Sequence, residues 1–116
     1  MAFAYDRLTE ITYVAAAAGT VFTNPAAQTT YVRLIVIHNT NATAETVDLW
    51  NVPDNAGAVG TASDANKFWQ ESVAADATTM IEFPVPGLVL ESENDTIQAK
   101  TTTGSKVTIQ IFGGKE

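Results

Sequence analysis

His38 is the single histidine of the chain, and so the one imidazole on hand for acid–base or nucleophilic chemistry. Such catalysis needs a nucleophile held against a base that a third group orients. Ser63, Ser72, Ser92 and Ser105 fall in turns or at strand ends, and none occupies a Gly-x-Ser-x-Gly elbow. His38 closes the run Thr30–His38 and precedes Asn39, which makes it a strand-end residue bonded into its turn. Without cysteine there is no thiolate nucleophile, disulfide framework or zinc–thiolate site.

The densest acidic segment is Glu91-Ser92-Glu93-Asn94-Asp95. Alternating oxygen ligands suit calcium. This run, however, has no glycine after its third ligand and no distal glutamate, so it departs from an EF-hand loop. A solvated turn shaped by Asn94 and Asp95 accounts for it better. Two carboxylates across a groove would also make a glycosidase pair, but sequence spacing does not set their separation. Gly57 and Gly60 lack the Lys-Ser/Thr and helix that a phosphate loop requires. The sequons at Asn41 and Asn94 are coincidences of a Thr- and Asn-rich chain. The expectation is a protein that is not an enzyme and holds no cofactor or metal.

Arg7, Arg33, Lys67, Lys100, Lys106 and Lys115 are spread singly against an acidic excess that leaves a net charge of −7. A phosphate-tracking surface clusters its basic residues, so nucleic acid is excluded as a partner. An anionic membrane surface is disfavoured on the same ground. No apolar run reaches a bilayer span, and the N-terminal residues lack the pattern of a secretory signal. The acidity serves solubility, and it equally suits the outside of an assembly.

The elements that position these residues are strands. Thr30–His38 reads as the strongest, with faces Val32, Leu34, Val36, His38 and Tyr31, Arg33, Ile35, Ile37. Both faces are largely apolar, the pattern of a strand covered on two sides. The second cover is then the N-terminal segment or another subunit. Glu45–Trp50 alternates, Val47 and Leu49 pointing inward and Trp50 outward. An outward tryptophan is covered either by a partner or by a neighbouring strand of its own chain.

Residues 52–66 form a surface loop. Further strands follow at Lys67–Val73, Thr79–Phe83, Leu88–Leu90, Asp95–Lys100 and Lys106–Phe112, with Val107, Ile109 and Ile111 on one face. Asn24-Pro25-Ala26-Ala27 breaks the chain, after short extended segments at Ile11–Val14 and Val21–Thr23. At 116 residues the expectation is one all-β domain, an antiparallel β-sandwich or jelly-roll-like fold. Residues 26–116 form its body, and residues 1–25 are either an extended N-terminal arm or edge strands.

From Val21 onward this succession resembles small β-sandwich structural proteins of tailed bacteriophages. The residues that carry the likeness are Asn24-Pro25-Ala26, Thr29–Thr40, Thr46–Trp50, Leu88–Leu90 with its acidic turn, Asp95–Lys100 and Val107–Glu116. They are a grammar of strands and turns rather than chemical signatures. The resemblance implies a capsid decoration (cement) protein, assembled in the host cytoplasm and located in the virion. Its implied partners are the major capsid protein and its own copies, with a trimer favoured; tail, neck or fibre parts are the alternative. An arm of such a protein would carry Phe3, Tyr5, Leu8, Ile11, Tyr13 and Phe22. Tyr31, Arg33, Ile35, Ile37, Trp50 and Trp69 complete the candidate interface. A sugar-binding sandwich stacking ligands on Trp50, Trp69 or Tyr31 is the reading from another class.

Overall fold

Alternating β-branched and polar residues, interrupted by Pro, Gly and Asn turns, fold this chain into two antiparallel sheets that share one aliphatic core. The computed structural model describes residues 4–116. Its strands are β1 (Ala4–Arg7), β2 (Thr12–Tyr13), β3 (Gly19–Thr23), β4 (Thr30–Asn39), β5 (Glu45–Val52), β6 (Lys67–Val73), β7 (Thr78–Glu82), β8 (Leu88–Leu90), β9 (Thr96–Thr101) and β10 (Val107–Lys115). The six-stranded sheet runs β1-β10-β4-β7, with β2 also on β10 and β8 also on β4. The four-stranded sheet runs β3-β9-β5-β6. The all-β, two-sheet, single-domain expectation holds.

The core between the sheets contains Ile35, Ile37, Val47, Leu49, Ile97, Val107, Ile109 and Ile111, all fully buried. Val47 and Leu49 point inward, and Val107, Ile109 and Ile111 share the inner face, as their alternation demands. Each such side chain contributes on the order of 1.5–3 kcal/mol on burial.

β4 departs from simple alternation. Along β10, Phe112 stands opposite Leu34 and Gly113 opposite Val32, so Arg33 is an extra residue on β4. This bulge shifts the pleat by one residue. Thr30 and Val32 are buried before it, and Ile35, Ile37 and Asn39 after it. The faces read from the sequence are therefore corrected: Ile35 and Ile37 belong to the interior, and Leu34 and Val36 take the outward positions.

Residues 4–23 are built into both sheets as edge strands. β1 and β2 pair with β10, and β3 pairs with β9. Val14 is buried, and Leu8, Val21 and Phe22 pack against the core.

Buried polar side chains tie the ends of the sandwich. Asn24 donates from Nδ2 to the carbonyls of Gln28 (2.8 Å) and Ser92 (3.0 Å), and its Oδ1 accepts from the Thr30 hydroxyl at 2.6 Å. At the other end, Asn39 Nδ2 donates to the carbonyls of Thr43 (2.9 Å) and Val73 (3.0 Å). Glu45, 2% exposed, accepts from Asn41 Nδ2 at 3.0 Å and the Thr103 amide at 2.7 Å. Such bonds remove the cost of burying polar groups and fix which loops meet.

Candidate interaction face

The outer face of the six-stranded sheet is built by cross-strand rows, because residues directly opposite on neighbouring strands point the same way. One row runs Arg7, Phe112, Leu34, Glu82 across β1, β10, β4 and β7. The next places Gln110, Val36 and Met80 side by side. The third runs Tyr13, Thr108, His38, Thr78. Beyond the bulge, Tyr31 stands opposite Val89 of β8.

Apolar groups dominate the middle of this face. Met80 is 63% exposed and Tyr13 56%. Leu34, Val36 and Phe112 are only partly covered, and Ile11, in the β1–β2 connection, is 54% exposed. A contiguous apolar sheet face of this kind marks an interaction surface more often than a bare monomer surface. The strands and rims of this sheet carry Arg7, Arg33, Lys106 and Lys115 against Asp6, Glu10, Glu82, Glu91 and Glu116. The four-stranded sheet is balanced to the same degree, with Lys67 and Lys100 against Glu45, Asp48 and Glu71, so most of the −7 excess lies in the loops.

The sequence candidates fall in several places. Ile11 and Tyr13 belong to this face. Tyr31 is half-buried, and its hydroxyl donates to Glu116 Oε1. That hydrogen bond, with the neighbouring carboxylate charge, holds the phenol above its ordinary range. Arg33 donates from Nε to the Phe83 carbonyl at 3.2 Å and helps anchor the chain after β7. Ile35 and Ile37 are interior and have no surface to offer. Leu8 and Phe22 pack against the core. Tyr5 stands in β1 opposite Gly114, and Phe3 lies outside the described residues.

The tryptophans do not form an open platform. Trp50 is 6% exposed, with Lys67 Nζ 5.5 Å from its ring centroid. Lys67 also lies 3.8 Å from Asp48 Oδ2, and Asp48 Oδ1 accepts from Gln70 Nε2 at 2.7 Å. The chain itself thus covers Trp50, the second of the two alternatives read from the sequence. Trp69 is half-buried against the core. The stacking role therefore loses Trp50.

Groups with chemical potential are engaged structurally. His38 Nδ1 lies 2.8 Å from the Thr78 hydroxyl across the β4–β7 ladder. In the acidic turn, Asp95 Oδ1 accepts the Asp54 amide at 2.8 Å, and Oδ2 accepts the amides of Glu91 (3.1 Å) and Ser92 (3.0 Å). Asp95 closes its own turn and clamps the 53–58 loop to it. Among the described residues, no three His, Cys, Asp or Glu side chains come together as metal ligands. A hollow of about 500 Å³ beside this turn is lined by Asn51, Asn66, Lys67, Phe68, Glu91 and Asp95. It is open, and of its two carboxylates Asp95 is taken up by the amides of Asp54, Glu91 and Ser92.

Burial works against the charge of Glu45, but the Thr103 and Asn41 hydrogen bonds outweigh it and hold the carboxyl below its ordinary range. This group is architectural, joining the turn before β5 to the turn before β10.

Leu34, Val36, Phe112 and Met80 are the functional candidates that sequence reasoning missed. The one signal for them is Gly113, which admits the bulge that turns Leu34 and Val36 outward. Comparison with known proteins returns no match by family model, by sequence or by solved structure.

Proposed function

We propose that this chain is a non-enzymatic structural protein of a tailed-phage virion, of the capsid decoration kind, which works by protein–protein contact. The observation that carries this reading is the group of exposed apolar side chains on the outer face of the six-stranded sheet. The strand order supports it. One sheet in the order β2-β10-β4-β7 and the other in the order β3-β9-β5-β6 support a jelly-roll reading of the sandwich, an architecture used by capsid and lectin domains and by cupins. Cupin and lectin roles need an open interior or an open binding platform. Here the interior is filled by aliphatic side chains and Trp50 is covered. Fold alone does not decide function, and the face provides the argument from a site.

The test is co-sedimentation of purified protein with expanded heads that lack it, alongside mass spectrometry of separated heads and tails. Saturable binding to heads, with the protein recovered in the head fraction, is the expected result. Recovery in tails alone transfers the protein to the tail or neck. Absence from both overturns the virion reading.

A further inference from the structure

We propose that the partner of the outer sheet face is a second copy of this chain, related by a two-fold axis that runs along the strands between β10 and β4. The inference deepens the reading of this face as an interaction surface, and it commits the face to a copy rather than to capsid protein.

The row Arg7, Phe112, Leu34, Glu82 carries opposite charges at its two ends and apolar groups between them. A two-fold axis along the strands reverses that row. Arg7 of one copy then meets Glu82 of the other at both ends, and Phe112 meets Leu34 in the middle. Met80, exposed on β7, comes over the β1–β2 connection, where Ile11 is exposed. The face is thus complementary to itself, as an isologous contact demands.

Charge elsewhere favours the same choice. With a net charge of −7, two copies repel wherever their acidic loops meet, and this face sets Arg7 and Glu82 at opposite edges, where they can pair across a two-fold axis. In the single chain Arg7 holds Glu10 at 3.1 Å, an exposed pair. Such pairs are weak, so Arg7 is readily shared with Glu82, which makes no ion pair among the described residues.

The size is adequate. β4 has ten residues, which span about 34 Å, and four strands span about 19 Å, a footprint of roughly 600 Å². Stable complexes bury about 800 Å² per partner, and a corrugated sheet face has more accessible area than its footprint. Face-to-face sheets pack about 10 Å apart, and an axis inclined about 15° to the strands would give the usual angle of about 30° between them.

The experiment is light scattering and sedimentation equilibrium on the whole chain, with Arg7→Glu, Glu82→Arg, the double exchange and Met80→Glu, each checked for folding by circular dichroism. All these positions are exposed, so the fold is expected to survive. The wild type is expected at twice its 12.3 kDa mass. Each single charge reversal should loosen the dimer by about tenfold or more, and the double exchange should restore it to within about threefold. A monomer, a trimer, or a dimer indifferent to these substitutions overturns the inference. Head binding by a monomer would leave the virion function standing without the dimer. A charge-swappable dimer that binds no heads would leave the dimer standing without that function.

Discussion

A Cβ on Gly113 would come within 2.0 Å of the Tyr31 carbonyl oxygen. No side chain fits that approach, so β10 can lie against the bulge in β4 only with glycine at this place. The bulge in turn decides that Ile35 and Ile37 enter the core and that Leu34 and Val36 face out. A contact between two backbones thus creates the candidate interaction face.

Gly113→Ala is expected to cost about 2–4 kcal/mol, because backbone must move to admit the methyl group. Gly104→Ala, whose new Cβ would meet nothing closer than 3.6 Å, should stay within about 0.5 kcal/mol of the wild type. Urea denaturation of the two variants checks the contrast.

Glu45 links pH to stability. Its folded-state carboxyl lies below the ordinary value of 4.5, so its contribution is present above that value and is lost as pH falls through the folded one. Glu45→Gln should therefore be less stable than the wild type at neutral pH, by about 1–3 kcal/mol, with the gap closing in acid. Denaturation curves between about pH 3 and pH 7 measure it. A gap that widens in acid contradicts this account of Glu45.

Asn24→Ala should cost about 2–3 kcal/mol, since it strands the buried Thr30 hydroxyl and the carbonyls that Asn24 now satisfies. Because Asn24 binds the turn at Ser92, hydrogen exchange should quicken at Asn94 and Asp95, far away in sequence. An effect confined to residues 24–28 would show that the side chain does not join the two segments.

Trp50 Nε1 is buried without a hydrogen-bond partner among the described residues. Trp50→Phe removes that donor together with some packing, and the two effects oppose each other. The loss should be under about 1.5 kcal/mol, smaller than usual for trimming a buried tryptophan. Thermal denaturation checks this, and a loss of several kcal/mol would mean the indole N–H is satisfied in solution.

Much of the fold was legible because period-2 patterns survive wherever strands stay regular. Val47 with Leu49 and Val107 with Ile109 and Ile111 were placed from alternation alone. β4 departs from alternation because its bulge depends on Gly113, a glycine remote in sequence whose neighbours do not reveal that Tyr31 will lie against it. Asn24, Asn39 and Glu45 looked like ordinary turn residues. Their burial arises from Ser92, Val73 and Thr103, which only the closed sandwich brings near. Of the candidate face, Ile11 and Tyr13 were found through their position before Pro25. Met80 was missed because one methionine in a short edge strand is indistinguishable from core in a linear pattern.

On the proposed function, the protein acts through this outer face. Hydroxyl-radical footprinting of Met80 and Tyr13, in the dilute subunit and in purified virions, tests it most directly. Both side chains should be strongly protected in the virion, while Val85, 77% exposed in the loop after β7, keeps its reactivity. Equal labelling of Met80 and Tyr13 in the two states would show that the face stays uncovered in the virion.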